Sequence, residues 1–324
     1  MDTVELSVVV PVYSCEGPLP ELHRRLTESL DWTAGSYELV FVEDRGPDGS
    51  WEILRGLAQE DPHVRAFRLS RNFGQHAAIT AGLTKSRGRW TVVMDCDLQD
   101  PPEEIRRLHA KASEGYEIVL AKRTRKRMPL FRRVASRAYF ALMNFFTGTS
   151  IDAGHGSFSI VSRKVVDAFV AFKDHDRHYL FVLYWLGFDR ASIEYQHAAR
   201  PAGGSSYTLR RLLSHAVGGM FFQTTVLLRW VVYFGFTLSL VGVGAAAYFA
   251  SARIRGTAYP GWTSLAVLLL LIGGLIIIST GVTGLYIGRI FDEVRERPLF
   301  VIDESTDEEI EHVQAPREDE RVAG

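Results

Sequence analysis

The chain has 324 residues, enough for one full α/β domain and additional segments, and its formal net charge of −1 excludes a nucleic-acid binder driven by bulk positive charge. That even balance hides a polarity, because Lys and Arg crowd residues 122–137 whereas Asp and Glu crowd 303–320. The two cysteines, Cys15 and Cys96, supply no disulfide framework and point to a reducing compartment. Met1 to Glu5 carries no basic flank ahead of the first apolar run, so no cleaved signal peptide is expected and the amino-terminal region is expected in the cytosol.

In chain order, Leu6–Val12, Glu38–Val42, Val64–Leu69, Trp90–Met94 and Glu117–Leu120 read as strands. Leu6–Val12 is apolar at nearly every position, as a strand buried on both faces of a parallel sheet requires. Helical patterns fall at about 20–30, 51–60, 76–85, 102–114 and 130–146. Pro101-Pro102 followed by Glu103-Glu104 opens the fourth of these, with proline early and carboxylates near the positive helix end. The βαβα rhythm predicts an open, doubly wound, mostly parallel sheet with helices on both faces. Such sheets bind ligands at the carboxyl ends of strands, beside the point where strand order reverses.

The second half differs. Val231–Ala250 and Gly261–Gly288 are uncharged apolar stretches long enough to cross a bilayer, joined by the short linker 251–260. Arg210, Arg211 and Arg229 precede this expected hairpin, and Arg289, Arg295 and Arg297 follow it. The positive-inside rule therefore places both termini in the cytosol. Leu209, Leu212, Leu213, Ala216, Val217, Met220 and Phe221 recur at helical spacing among Arg210, Arg211 and His215, which predicts a basic amphipathic helix at the membrane interface. Gly273, Gly274, Gly281, Gly284 and Gly288 suit helix association, and with it a homo-oligomer. The expected organisation is a catalytic domain over 1–205, an interface helix over 206–228, a transmembrane hairpin over 229–290 and an acidic, disordered tail over 291–324.

Asp95 and Asp97 follow an apolar strand, so both carboxylates sit where the fold puts ligands and can turn toward one hard divalent cation such as Mg²⁺ or Mn²⁺. Gln99 offers a further oxygen from the same loop. An acidic pair of this kind also occurs as an ordinary helix cap, so its place at a strand end carries the argument. The first strand runs into Tyr13 and Glu16, and the second into Glu43-Asp44. A tyrosine ring offers a base a flat face, and a carboxylate accepts hydrogen bonds from base or ribose. No G-x-G-x-x-G follows the first strand, which speaks against a dinucleotide-dependent dehydrogenase, and no G-x-x-x-x-G-K-[ST] occurs, which excludes a P-loop NTPase.

Together, Pro11-Val12-Tyr13, Val42-Glu43-Asp44, Leu69-Ser70-Arg71-Asn72-Phe73-Gly74 and Met94-Asp95-Cys96-Asp97-Leu98-Gln99-Asp100-Pro101-Pro102 resemble the polyprenyl-phosphate glycosyltransferases of glycosyltransferase family 2. The resemblance runs from about residue 5 to 290 and implies a Rossmann-like GT-A fold followed by two transmembrane helices. It implies inverting transfer of a sugar from a UDP- or GDP-sugar to undecaprenyl or dolichyl phosphate at the inner (plasma) membrane, for cell-envelope glycan modification. It further implies nucleotide contacts at Pro11, Tyr13, Glu16, Asp44 and Asp95, and metal and diphosphate contacts at Asp95, Asp97 and Gln99. Asp95, Asp97, Arg123 and Arg200 would carry catalysis, and Arg123, Arg133, Arg137, Arg200 and Ser205 would meet the acceptor phosphate.

Three positions depart from the family pattern. Glu43 stands where relatives often have Asp, Ser206 where a Lys is common, and Gly156-Ser157-Phe158-Ser159 where many carry Gly-Asp-Phe-Arg. The last removes an acidic catalytic residue. A lipid phosphate is already anionic near neutral pH, so the attacking oxygen needs no strong base. Two alternatives are a synthase extending a glycan directly and a non-catalytic scaffold. Gln223 and Arg229-Trp230 are spaced too widely for the acceptor segment of such synthases, and the retained acidic pair with Gln99 opposes a scaffold.

Overall fold

The computed structural model describes residues 4–33, 36–124, 154–172, 174, 177–196, scattered positions between 231 and 255, 262–295 and 297–307. The helix expected over 130–146 and the amphipathic helix expected over 206–228 lie outside the described residues. The chain divides into two units: one holds 1–133, 151–204 and 298–324, the other 134–150 and 205–297.

The first unit is built on eight strands: β1 (Leu6–Val12), β2 (Tyr37–Glu43), β3 (Val64–Leu69), β4 (Trp90–Val93), β5 (Ile118–Arg123), β6 (His155–Ser162), β7 (Arg190–Tyr195) and β8 (Ile302–Ser305). They form one sheet in the order β7-β5-β6-β4-β1-β2-β3-β8. β1 is buried throughout and pairs in parallel with β2 and β4, so strand order reverses at β1 and opens a crevice at the carboxyl ends of β1 and β4. The sheet is mixed. β6 enters antiparallel between β4 and β5, β8 runs antiparallel along β3, and β7 returns parallel to β5.

Helices α1 (Leu19–Ser29), α2 (Ser50–Glu60), α3 (Gln75–Lys85), α4 (Ile105–Ala112), α5 (Arg163–Ala171) and α6 (Tyr179–Leu186) complete this unit. Leu19, Leu22 and Leu26 of α1 recur at helical spacing, and all three are buried against Leu6, Val8, Leu39 and Phe41. α3 approaches the opposite face so closely that a Cβ at Gly82 would stand 2.3 Å from Val9 Cγ1, which reserves that position for glycine.

Two expectations fail here. Disorder is expected throughout the tail beyond Ile302, yet Ile302–Ser305 forms β8, held because Arg45, Arg65 and Arg68 meet Asp303, Asp307 and Glu304; residues 308–324 lie outside the described residues. Cys15 and Cys96 form a disulfide, where the sequence supplied no disulfide framework. Their separation of 81 residues conceals that β1 and β4 are neighbours whose following loops abut, with the two Cα atoms 6.4 Å apart.

In the second unit, α7 spans Trp262–Val294 as one helix of 33 residues. Its side chains are described in part, and among the described residues no helix is long and apolar enough to cross a membrane. Those side chains include exposed Leu265, Leu269, Ile276, Leu285, Ile287 and Ile290.

His76 in the first turn of α3 packs on His178 at the start of α6, with ring centroids 4.1 Å apart. Burial holds His76 down to about 4 and His178 down to about 3. Unfolded histidines take up protons below about 6.5, so between that pH and about 4 the unfolded state binds more protons than the native one. Stability therefore rises with pH across this window and is lost as pH falls through it. The Tm should drop between pH 7 and 5, and less steeply in His178→Phe, whose ring nitrogen Nδ1 has no hydrogen-bond partner to lose. A thermal melt series checks this.

Candidate active site

Three loops converge at the crevice, following β1, β2 and β4. Each contains a non-glycine residue with left-handed backbone: Ser14 (φ 54°), Arg45 (φ 52°) and Leu98 (φ 61°). Among the described residues these are the only such positions, and strain of this kind persists where surrounding contacts over-determine it. The contacts are present. Cys15 N donates to Ser50 Oγ at 3.2 Å, Glu16 N to Asp48 Oδ2 at 3.0 Å and Gly49 N to Glu16 Oε2 at 3.1 Å, while the disulfide ties the β1 loop to the β4 loop.

Beyond β4 exposure alternates. Asp95, Asp97 and Gln99 are partly exposed, whereas Cys96, Leu98 and Asp100 are buried. The alternation turns the acidic pair and Gln99 outward from a buried backing. Asp95 Oδ1 accepts hydrogen bonds from Gln75 Nε2 at 2.7 Å and Ser157 Oγ at 2.9 Å. Asp97 Oδ1 accepts from Gln99 N at 3.1 Å, closing a short turn. Asp100 is fully buried and accepts from the Tyr195 hydroxyl. Arg123, at the end of β5, donates from Nε to Tyr195 Oη at 3.1 Å, and its Nη2 lies 3.7 Å from Asp100 and 3.9 Å from Asp95.

Burial, and then Asp100, push Asp95 up to about 6, with Ser157 and Arg123 pulling the other way. Burial raises Asp100 as well. For Arg123, burial opposes the charge, but Asp100, Tyr195 and Asp95 outweigh it and raise its pKa. The site thus concentrates carboxylates around one partly exposed guanidinium, an arrangement that an added cation would relieve.

Residues 7–169 match the family Glycosyl transferase family 2. The chain belongs to this family. This glycosyltransferase is 37% identical over 306 residues to the uncharacterized glycosyltransferase YkcC of Bacillus subtilis, covering 93% of this chain and 94% of that one. It is 35% identical over 305 residues to the undecaprenyl-phosphate 4-deoxy-4-formamido-L-arabinose transferase of Proteus mirabilis, covering 92% and 93%. Among solved structures it is similar to the mannosyltransferase PcManGT from Pyrobaculum calidifontis in complex with GDP-Man and Mn²⁺, with 17% identity, a TM-score of 0.47 and coverage of 91% and 88%.

The remaining expected nucleotide residues of the glycosyltransferase differ in how they are placed. Tyr13 is 52% exposed, its ring available to a ligand. Pro11 is buried within β1 opposite Val42, where it shapes the strand leading to Tyr13. Asp44 is buried; its Oδ1 accepts from Phe73 N at 2.7 Å and its Oδ2 from Gly74 N at 2.9 Å, so it also fixes the loop ahead of α3. Burial raises its pKa against those two amides. Arg133, Arg137, Arg200 and Ser205 lie outside the described residues.

Gln75, Ser157, Asp100 and Tyr195 were not singled out as site residues by sequence. Asp100 stands inside the Asp-x-Asp-Leu-Gln-Asp-Pro-Pro string and could have been found there; Tyr195 had no local signal. Ser157, in place of the missing acid, bonds the first aspartate of the pair. A cleft of about 450 Å³ lined by Arg89, His109, Tyr116 and Lys164 opens at the amino ends of the strands, away from this site.

Proposed function

We propose that this glycosyltransferase moves a sugar from a nucleotide-sugar donor to a polyprenyl phosphate, with inversion, at a membrane surface. The observation that carries the reading is the partly exposed Asp95/Asp97 pair at the carboxyl end of β4, with Asp95 3.9 Å from Arg123 and its loop tied by the Cys15–Cys96 disulfide to the loop of the exposed Tyr13. The names of the undecaprenyl-phosphate transferases at about 35% identity support the acceptor class.

The residues fit a hard divalent cation. Both candidate ligands are carboxylates, and burial, followed by the neighbouring Asp100, holds Asp95 at a raised pKa. Among the described residues no group of three or more His, Cys, Asp or Glu could hold a metal, so diphosphate oxygens and water would complete the shell. When bound, Mg²⁺ or Mn²⁺ supplies positive charge to the departing diphosphate. The acceptor phosphate oxygen attacks the anomeric carbon as the bond to the nucleoside diphosphate breaks, and Arg123 offsets charge where the two anions meet. Asp44 and Tyr13 hold the nucleoside; acceptor-phosphate roles for Arg133, Arg137, Arg200 and Ser205, which lie outside the described residues, rest on the family resemblance alone.

The uncharged stretches Val231–Ala250 and Gly261–Gly288 and the exposed apolar side chains of α7 support a transmembrane hairpin, and the arginines that flank it support cytosolic termini. Thermal-shift measurement with UDP and GDP tests the donor reading. One nucleotide should raise the Tm in the presence of Mn²⁺ and lose that effect in EDTA. No shift with either nucleotide would contradict the reading.

A further inference from the structure

The acidic segment after Pro298 has a place in the fold that the reaction does not account for. Ser70 N donates to Val301 O at 2.9 Å, and β8 then pairs with β3 until Thr306 N reaches Ala66 O at 2.9 Å. At the far end of this seam Arg65 is clamped between Asp307 and Glu38, both at 2.6 Å. At the crevice end, Glu304 Oε2 accepts from Trp51 Nε1 at 3.1 Å and its Oε1 from Arg68 Nη1 at 3.0 Å. Arg68 Nε donates to Glu43 Oε2 at 3.0 Å, and Glu43, only 1% exposed, accepts from Gly46 N through its other oxygen. One polar chain therefore runs from Glu304 through Arg68 and Glu43 to the turn that follows Asp44. Asp303 adds a second tether, 2.8 Å from Nη1 of Arg45, whose backbone is left-handed.

We infer that Asp303 and Glu304 are positioning residues for donor recognition: from the carboxyl-terminal segment they hold the Glu43–Gly49 turn, and with it Asp44, in the shape that receives the nucleotide. The inference rests on the reading of Asp44 as a donor contact. Sheet-edge covering alone would need only the backbone ladder of β8. The side chains instead converge on the residues flanking Asp44. The same turn reaches the Tyr13 loop through Asp48–Glu16 and Ser50–Cys15, so a displaced turn would loosen both nucleotide-facing loops. The Arg45–Asp303 pair is exposed and contributes little alone, whereas Arg68 joins a buried carboxylate, so Glu304 should matter more.

The test is calorimetric titration of the full-length protein in detergent with UDP and GDP in the presence of Mn²⁺, alongside transfer rates at saturating donor. Glu304→Ala should raise the nucleotide Kd and donor KM about tenfold, the size expected for losing a charge-assisted hydrogen bond, with kcat within about twofold. Glu304→Asp should recover part of the loss. Arg45→Asp and Asp303→Arg should each weaken binding a few-fold, and the double variant should restore it. An unchanged Kd in folded Glu304→Ala overturns the inference, as does a loss of kcat and Tm without a selective rise in Kd. Asp44→Asn in the same titration separates the two claims. If it leaves Kd unchanged, the reading of Asp44 fails and takes the inference with it; if it weakens binding while Glu304→Ala does not, only the inference fails.

Discussion

Asp97→Ala loses sugar transfer by about 10³-fold or more while the protein still folds and melts near the parent temperature. The loss follows from geometry. Asp97 sits partly exposed at the carboxyl end of β4, where its Oδ1 accepts from Gln99 N at 3.1 Å. A partly exposed loop carboxylate contributes little to the fold, whereas its removal takes from the site one of two candidate metal carboxylates. Asp95 does not replace it, because Asp95 is itself the other candidate ligand and its Oδ1 is shared with Gln75 and Ser157. Radiolabelled sugar counted in extracted lipid, beside a thermal melt, checks both halves. Undiminished transfer would remove the metal assignment.

Arg123→Met should lower kcat by about 10²- to 10³-fold with a smaller change in donor KM, the usual size for removing one preorganised charge from a transfer site. Arg123 is the only cation within 4 Å of Asp95 among the described ion pairs, and Tyr195 and Asp100 hold it in place. Arg123→Lys should recover little, since one ammonium cannot both meet Tyr195 and face the crevice as the forked guanidinium does. Tyr195→Phe leaves the Arg123 charge but loses its tether, so its kcat should fall less. Steady-state kinetics of the three variants separates charge from orientation, and equal losses in all three would contradict these roles.

Where apolar spacing dominates, the fold was legible. β1 to β5 and the first four helices fell within a few residues of their expected bounds, because each is marked by a buried apolar run or a patterned apolar face. β6 was hidden because its first three residues, His155-Gly156-Ser157, are only half-buried and polar, and because its antiparallel insertion depends on β4 and β5. β8 was hidden by composition. Ile302-Asp303-Glu304-Ser305 reads as a solvated tail until Arg45, Arg65 and Arg68 are brought to one sheet edge. The Cys15–Cys96 disulfide and the Asp100–Tyr195–Arg123 cluster share that cause, since both join residues distant in sequence. The acidic pair was legible because strand-end placement is a local property. Of its polar surroundings Arg123 was named, whereas Gln75, Ser157 and Tyr195 were not, because they arrive from α3, β6 and β7.

The most direct test of the central claim is transfer itself. Full-length protein in detergent is mixed with undecaprenyl phosphate and radiolabelled UDP- or GDP-sugars, with Mn²⁺ or with EDTA, and label is counted in the organic phase. The account predicts a lipid carrying a single sugar from one donor, formed with the cation and absent in EDTA. Equal transfer in EDTA, or label that never enters lipid with any donor, would contradict it.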